Sequence, residues 1–143
     1  MSTLDRASRW SQGLDTTCVL CKNAADTRSH LFFECDYSAQ IWEFIAKGIL
    51  RDSYTVIWSE ILAILLDEKR EKMSLFCIRY AFQEVLYAVW RERNKLMHGD
   101  KLLPLPVIKR MIDKGIRNKI SLMRMKGIKG MEKLMQFWFL TRM

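Results

Sequence analysis

The sequence predicts an all-α fold in which a small cysteine- and histidine-rich module packs on a helical bundle, with little or no sheet. Three observations predict it. Apolar residues recur at helical spacing in five stretches of the 143-residue chain, the pattern of helices with one buried face. Only two residues are proline, both between Leu102 and Pro106, so little interrupts those stretches. Three of the four cysteines and one of the two histidines fall between Cys18 and Cys35, which sets the N-terminal end apart.

Taken in order, Leu4 to Trp10 reads as a short helix. Ser2 or Thr3 would cap it, and Asp5 suits its first turn. Ser11 to Thr17 reads as a loop. His30 to Cys35 reads as another short helix, with Trp10 packing against the module. Asp36 to Leu50 is helical by the i+4 steps of Tyr37, Ile41, Ile45 and Ile49, with Trp42 beside them. This stripe is expected to lie on Leu31 and Phe32. Arg51 to Tyr54 is a linker.

Thr55 to Leu66 reads as a helix with Ile57, Trp58, Ile61, Leu62, Leu65 and Leu66 apolar. The charge run Asp67 to Lys72 reads as a solvated connection or helix start. Met73 to about Met97 is the longest helix, with Leu75, Ile78, Phe82, Val85, Leu86, Val89 and Leu96 forming its stripe. Cys77 within it reads as a small core residue. Asn94 and His98, one turn apart, are placed to share hydrogen bonds, and Gly99 marks the stop. After the break at Leu102 to Pro106, Pro106 opens a helix that runs to about Lys126. Ile108, Ile112, Ile116, Ile120 and Met123 form its apolar edge. Met131 to Leu140 is a last short helix. The coarse division is 1–50, a metal-binding module; 51–100, a helical hairpin; and 101–143, a basic helical tail.

The cysteine-rich stretch reads C-x2-C-x8-H-x4-C over Cys18, Cys21, His30 and Cys35. A tetrahedral Zn2+ takes four nitrogen or sulfur ligands, and a C-x2-C pair supplies two of them from one tight turn. Buried apolar cysteines or a disulfide pair are the competing readings. A disulfide framework fits poorly with a histidine in the set and an N-terminus that lacks an apolar leader. A catalytic zinc keeps one position open for water. With all four ligands supplied by the chain, the expectation is one structural Zn2+. Five positions along an α-helix leave His30 and Cys35 about 140° apart in rotation. They converge only if the chain leaves the helix near Cys35.

These residues resemble the zinc-binding domain of reverse transcriptases, as found at the C-terminal end of plant LINE-type (non-LTR) retrotransposon polyproteins. Trp10, Cys18-x2-Cys21, Asp26-Thr27, His30-Leu31-Phe32-Phe33-x-Cys35, Tyr37-Ser38 and Ile41-Trp42 follow its pattern, W…C-x-L-C…E-T-x-x-H-L-F-x-x-C-x-Y-S-x-x-x-W. Asp26 stands where that family usually has Glu and keeps the charge. The match covers roughly residues 4–50. A second block, Tyr87-Ala88-Val89-Trp90-Arg91-Glu92-Arg93-Asn94 with His98 beyond it, is similar to the W-x-x-R-N…H segment that often follows in such elements. The resemblance implies an appendage of a polymerase, with the catalytic parts upstream.

Residues 101–143 carry 11 Lys and Arg against Asp113 and Glu132, while residues 1–100 carry 13 against 14 acids. The whole net charge of +8 therefore comes from the tail. Such asymmetry suggests a polyanionic partner, RNA or DNA. Arg110, Lys114, Arg117, Lys119, Arg124 and Lys126 are the expected phosphate contacts, with little sequence readout. No Asp-Asp pair is present to hold the two metal ions of a polymerase, and neither a phosphate loop nor a dinucleotide motif appears. The chain is expected not to be an enzyme. The cysteine usage suggests the nucleus or cytoplasm, and no transmembrane segment is expected. Two other readings remain: a structural or protein-interaction domain, or an inactive retroelement fragment, whose zinc only stabilises the fold; and a basic amphipathic tail lying on an anionic membrane.

Overall fold

The computed structural model describes Leu20 and residues 30–143. The expected helix Leu4–Trp10, the loop after it, the packing of Trp10 and the Cys18–Cys21 turn lie outside the described residues. Among the described residues all regular structure is helical, as the sequence predicts, and no strand occurs.

The chain enters through a π-helical turn, His30–Glu34, and then α1, Asp36–Leu50. Cys35 lies between them with extended backbone, φ −67° and ψ 138°, and serves as the N-cap of α1. Its carbonyl accepts from the Ala39 amide at 2.7 Å and from the Ser38 hydroxyl at 3.1 Å. The bounds of α1 are those its i+4 stripe predicts, and Ile41, Trp42, Ile45 and Ile49 are all buried. A positive φ of 50° at Arg51 ends the helix. The expected linker begins as one turn of 3₁₀-helix, Arg51–Ser53. The Trp42 indole donates to the Thr55 carbonyl at 2.9 Å and ties the returning chain to α1.

Helix α2, Trp58–Leu65, is shorter than the Thr55–Leu66 the apolar pattern suggests. The Thr55 hydroxyl accepts from the Ile57 amide at 3.1 Å and lies 2.6 Å from a Glu60 carboxylate oxygen. A threonine that bonds its local backbone this way competes with the helix and delays its start. The charge run ends in the start of the next helix, one of the two roles its sequence suggests. Glu71 is the N-cap of the next helix, its carboxylate accepting from the Met73 and Ser74 amides at 2.9 and 2.8 Å. Arg70 donates to the Ile49 carbonyl at 3.2 Å and joins this cap to the end of α1.

Helix α3, Lys72–Met97, has 26 residues and is about 39 Å long at 1.5 Å per residue. Gly99, with φ 89°, closes it. Helix α4, Leu105–Met125, has Pro106 in its first turn and buries Ile108, Ile112, Ile116 and Ile120. Helix α5, Met131–Thr141, lies on α4 and buries Leu134 and Trp138.

Helices α1, α3 and α4 pack on one another, and residues from the entry turn to α5 share one apolar core. Rings fill its upper part: Phe33 meets Trp42 edge-on at 4.9 Å, stacks on Phe82 at 5.7 Å and touches Trp58 at 5.5 Å. Phe33 thus takes the central place that the sequence suggests for Leu31 and Phe32, although both of those are buried too. The last turn of α5 is clamped to α1. The Arg142 guanidinium donates to the Phe44 and Ile45 carbonyls and stacks 4.3 Å from the Trp138 ring centroid. Burial lowers the Arg142 pKa, with Asp113 opposing the shift.

Candidate metal centre and basic face

Of the four expected zinc ligands, Cys18 and Cys21 lie outside the described residues. The backbone of His30 opens the π-helical turn and Cys35 follows its end. This differs from the α-helical turn assumed above. Closing i→i+5 rather than i→i+4 brings positions five apart nearly onto one side of the turn. The chain also leaves the helix at Cys35, as convergence requires. The Cys35 side chain is fully buried. It sits at the N-terminal end of α1, where partial positive charge suits an anionic sulfur ligand. The chemistry of this donor fits zinc. Among the described residues no group of three or more His, Cys, Asp or Glu gathers to hold a metal, as follows when half the expected set lies elsewhere.

Cys77 is the other described cysteine. It is fully buried in α3, and burial pushes its thiol up to about 12, so it is the inert core residue the spacing suggests. Asn94 and His98 meet through the backbone, the His98 amide donating to the Asn94 carbonyl at 3.1 Å. The Asn94 side chain accepts from Arg93 at 3.3 Å.

Sequence reasoning missed a buried polar cluster one helix away from Cys35. Glu92 of α3 is fully buried. Its Oε1 accepts from the Leu103 amide at 2.7 Å, and the Lys95 ammonium lies 3.0 Å from Oε2. The Tyr37 hydroxyl, two residues past Cys35, donates to the Leu103 carbonyl at 3.1 Å. Both polar groups of one peptide-chain residue, Leu103, are therefore held, one from α1 and one from α3. Burial, and then the Glu92 charge, push the Tyr37 hydroxyl up to about 12. A signal was present: Glu92 continues the register of Val85 and Val89, where an apolar residue is expected.

The basic residues of the tail separate by what they touch. Arg110, Lys114, Lys119, Arg124 and Lys126 are exposed. Arg110 donates to the carbonyl of Pro106 in its own helix at 3.3 Å. Among the described residues, Lys114, Lys119, Arg124 and Lys126 make no ion pair. Arg117 differs: it pairs with Asp113 at 3.1 Å, and its guanidinium lies 6.0 Å from the Phe139 ring centroid. Asp113 also accepts from the Trp138 indole at 2.8 Å, so the Arg117–Asp113 pair belongs to the α4–α5 contact. Arg110 and Lys114 lie on the α4 face opposite its isoleucines, whereas Lys119 and Arg124 fall nearer the isoleucine side, three residues past Ile116 and four past Ile120. No described helix is long and apolar enough to cross a membrane.

Residues 1–42 match the family described as zinc-binding in reverse transcriptase. The matched segment contains Cys18, Cys21, His30 and Cys35 and ends at Trp42 of α1. No curated protein and no solved structure matches the chain.

Proposed function

We propose that this chain is a non-catalytic zinc-binding domain of the reverse-transcriptase type, of the kind carried by plant non-LTR retrotransposons, and that it holds RNA or DNA with little sequence preference. The observation that carries the reading is the conjunction of two separate features. Residues 1–42 match a zinc-binding family of reverse transcriptases, and exposed cations without carboxylate partners among the described residues line α4, more than sixty residues further along the chain.

In this reading Cys18, Cys21, His30 and Cys35 hold one Zn2+. The ion supplies a crosslink and no chemistry of turnover. It joins the Cys18–Cys21 turn to the π-helical turn, whose Phe33 is already wedged among Trp42, Trp58 and Phe82. Residues 1–50 then form the zinc module, 51–100 the hairpin and 101–143 the basic arm, working in the nucleus or cytoplasm. Arg110, Lys114, Lys119, Arg124 and Lys126 neutralise phosphates, a contact that gives affinity without reading bases. Arg117 contributes less because Asp113 already occupies it.

Metal analysis and a salt titration test this together. Purified protein should carry one zinc per chain, and Cys21→Ser should lose it along with the fold of the N-terminal module. Structural zinc contributes roughly 10–16 kcal/mol in small zinc peptides. For single-stranded RNA, the logarithm of affinity should fall linearly with the logarithm of salt, by about 0.7 per phosphate neutralised. Reversing Lys114 and Arg124 to Glu should flatten that slope by about 1.4 while leaving the melting temperature near its original value. An unchanged slope would remove α4 from the interface.

A further inference from the structure

The block Tyr87–Asn94, singled out above by its sequence, divides into two halves with different uses. Its inward half serves the fold: Ala88, Val89, Glu92 and Arg93 are buried. Its outward half does not. Tyr87 is 60% exposed, and the Arg91 guanidinium lies 5.6 Å from its ring centroid. A large aromatic held flat under a cation, with most of its surface in water, contributes little to packing.

Its surroundings follow from the register of α3 against α4. A Cβ on Gly115 would stand 3.4 Å from the Glu84 carboxylate, and the Tyr80 hydroxyl lies 3.8 Å from the Met123 sulfur. The helices therefore run antiparallel. Tyr87 is one turn beyond Glu84, and Met111 is one turn before Gly115, which sets the two at one level of the seam. Met111 is 44% exposed. Arg110 and Lys114 project from the next strip of α4 outward, and both are exposed. Three cations, Arg91, Arg110 and Lys114, thus flank an uncovered aromatic ring and a thioether. Of the acids beside this strip, Glu84 lies partly covered over Gly115, and Asp113 is taken up by Arg117 and the Trp138 indole.

We propose that this α3–α4 face is a platform for single-stranded nucleic acid, with a base stacked on Tyr87 and the flanking phosphates held by Arg91, Arg110 and Lys114. It rests on the nucleic-acid reading above and narrows it. An aromatic face can stack only on a base that has left its neighbours, so the platform selects unpaired strands over duplex. The charge on either side tracks the backbone, and the ring accepts any base, which agrees with weak sequence preference.

The test uses the full-length, zinc-loaded chain and a short labelled RNA, single-stranded or annealed to its complement, followed by fluorescence anisotropy. The wild type should prefer the single strand. Tyr87→Ala should weaken single-strand binding roughly ten- to a hundredfold and leave duplex binding unaltered, and its melting temperature should not move because the ring packs on little. Tyr87→Phe should recover most of the loss. If Tyr87→Ala binds the single strand as the wild type does while reversal of Lys114 and Arg124 weakens binding, the platform is wrong and the broader reading stands. If the wild type binds neither strand at low salt, or sediments only with anionic vesicles, both fall.

Discussion

Replacing Glu92 by Ala should destabilise the whole bundle, and the size of the effect follows from the contacts. The carboxylate is fully buried, holds the Leu103 amide at 2.7 Å and faces the Lys95 ammonium at 3.0 Å. Removing one member of a buried ionic pair costs about 3–5 kcal/mol, because the partner is left unsatisfied. Lys95 retains 32% of its side-chain exposure, so its charge regains water and the lower end applies. The Leu103 amide, in the partly buried α3–α4 connection, loses its side-chain acceptor. About 3 kcal/mol in a chain of this length lowers the melting temperature by roughly 6–12 °C. Glu92→Gln keeps an acceptor for the Leu103 amide and should cost about 1 kcal/mol. The assay is thermal unfolding followed by far-UV circular dichroism at neutral pH, with amide exchange at Leu103 as the local readout. An Ala variant that melts with the wild type and protects Leu103 equally would refute the role assigned to this carboxylate.

Two further outcomes follow from close packing and burial. In an unobstructed helix Gly→Ala stabilises by up to about 1 kcal/mol, but a Cβ at Gly48 would lie only 1.9 Å from the Thr141 carbonyl oxygen. Gly48→Ala should therefore destabilise, by about 1–3 kcal/mol as for an overpacked core, and an increase in melting temperature would show that α5 does not press on α1. The Cys77 thiol and the Tyr37 hydroxyl are both raised to about 12, from 9.0 and 10.0 respectively, chiefly by burial. The folded state holds these protons after the unfolded chain has released them, so stability should fall as pH rises from about 9 towards 12. Melting temperatures across that range should show the decline, Cys77→Ala should lessen it, and native Cys77 should resist thiol reagents at pH 8.

How much of this was legible depends on how far apart in the chain the deciding contacts lie. The bounds of α1 came through because the i+4 steps of Tyr37, Ile41, Ile45 and Ile49 begin beside Cys35 and nothing local opposes them. The start of α2 did not, because apolar periodicity cannot register a Thr55 hydroxyl that takes the Ile57 amide for itself. A helix start within the charge run was legible, but which of its six charged residues does the capping, Glu71, was not, because pattern reasoning treats the run as uniform. The clamp made by Arg142 on Phe44 and Ile45 joins residues 98 and 97 positions apart and leaves no local trace. Glu92 stood in plain sight on the apolar stripe. An acid in core register is informative, because only a hydrogen-bond donor brought from elsewhere makes its burial tolerable.

The same reasoning explains why the metal motif and the bundle belong together in one chain. Of the segment that matches the zinc-binding family, residues 31–42 are inseparable from the helical core. Leu31, Phe32 and Phe33 are buried against α1 and α3, Cys35 supplies the cap from which α1 starts, and Trp42 anchors the chain that follows. An ion bound at Cys35 would therefore act on the N-cap of a core helix, with no intervening loop between it and α1. The Tyr37–Leu103–Glu92 contacts carry that coupling one step further, to the connection from which α4 departs. The exposed cations of α4 thus stand on a helix whose entry is held by Tyr37, two residues past Cys35, and by Glu92. A nucleic-acid strand on this face would lie on a helix packed against α1 and α3 rather than on a flexible linker.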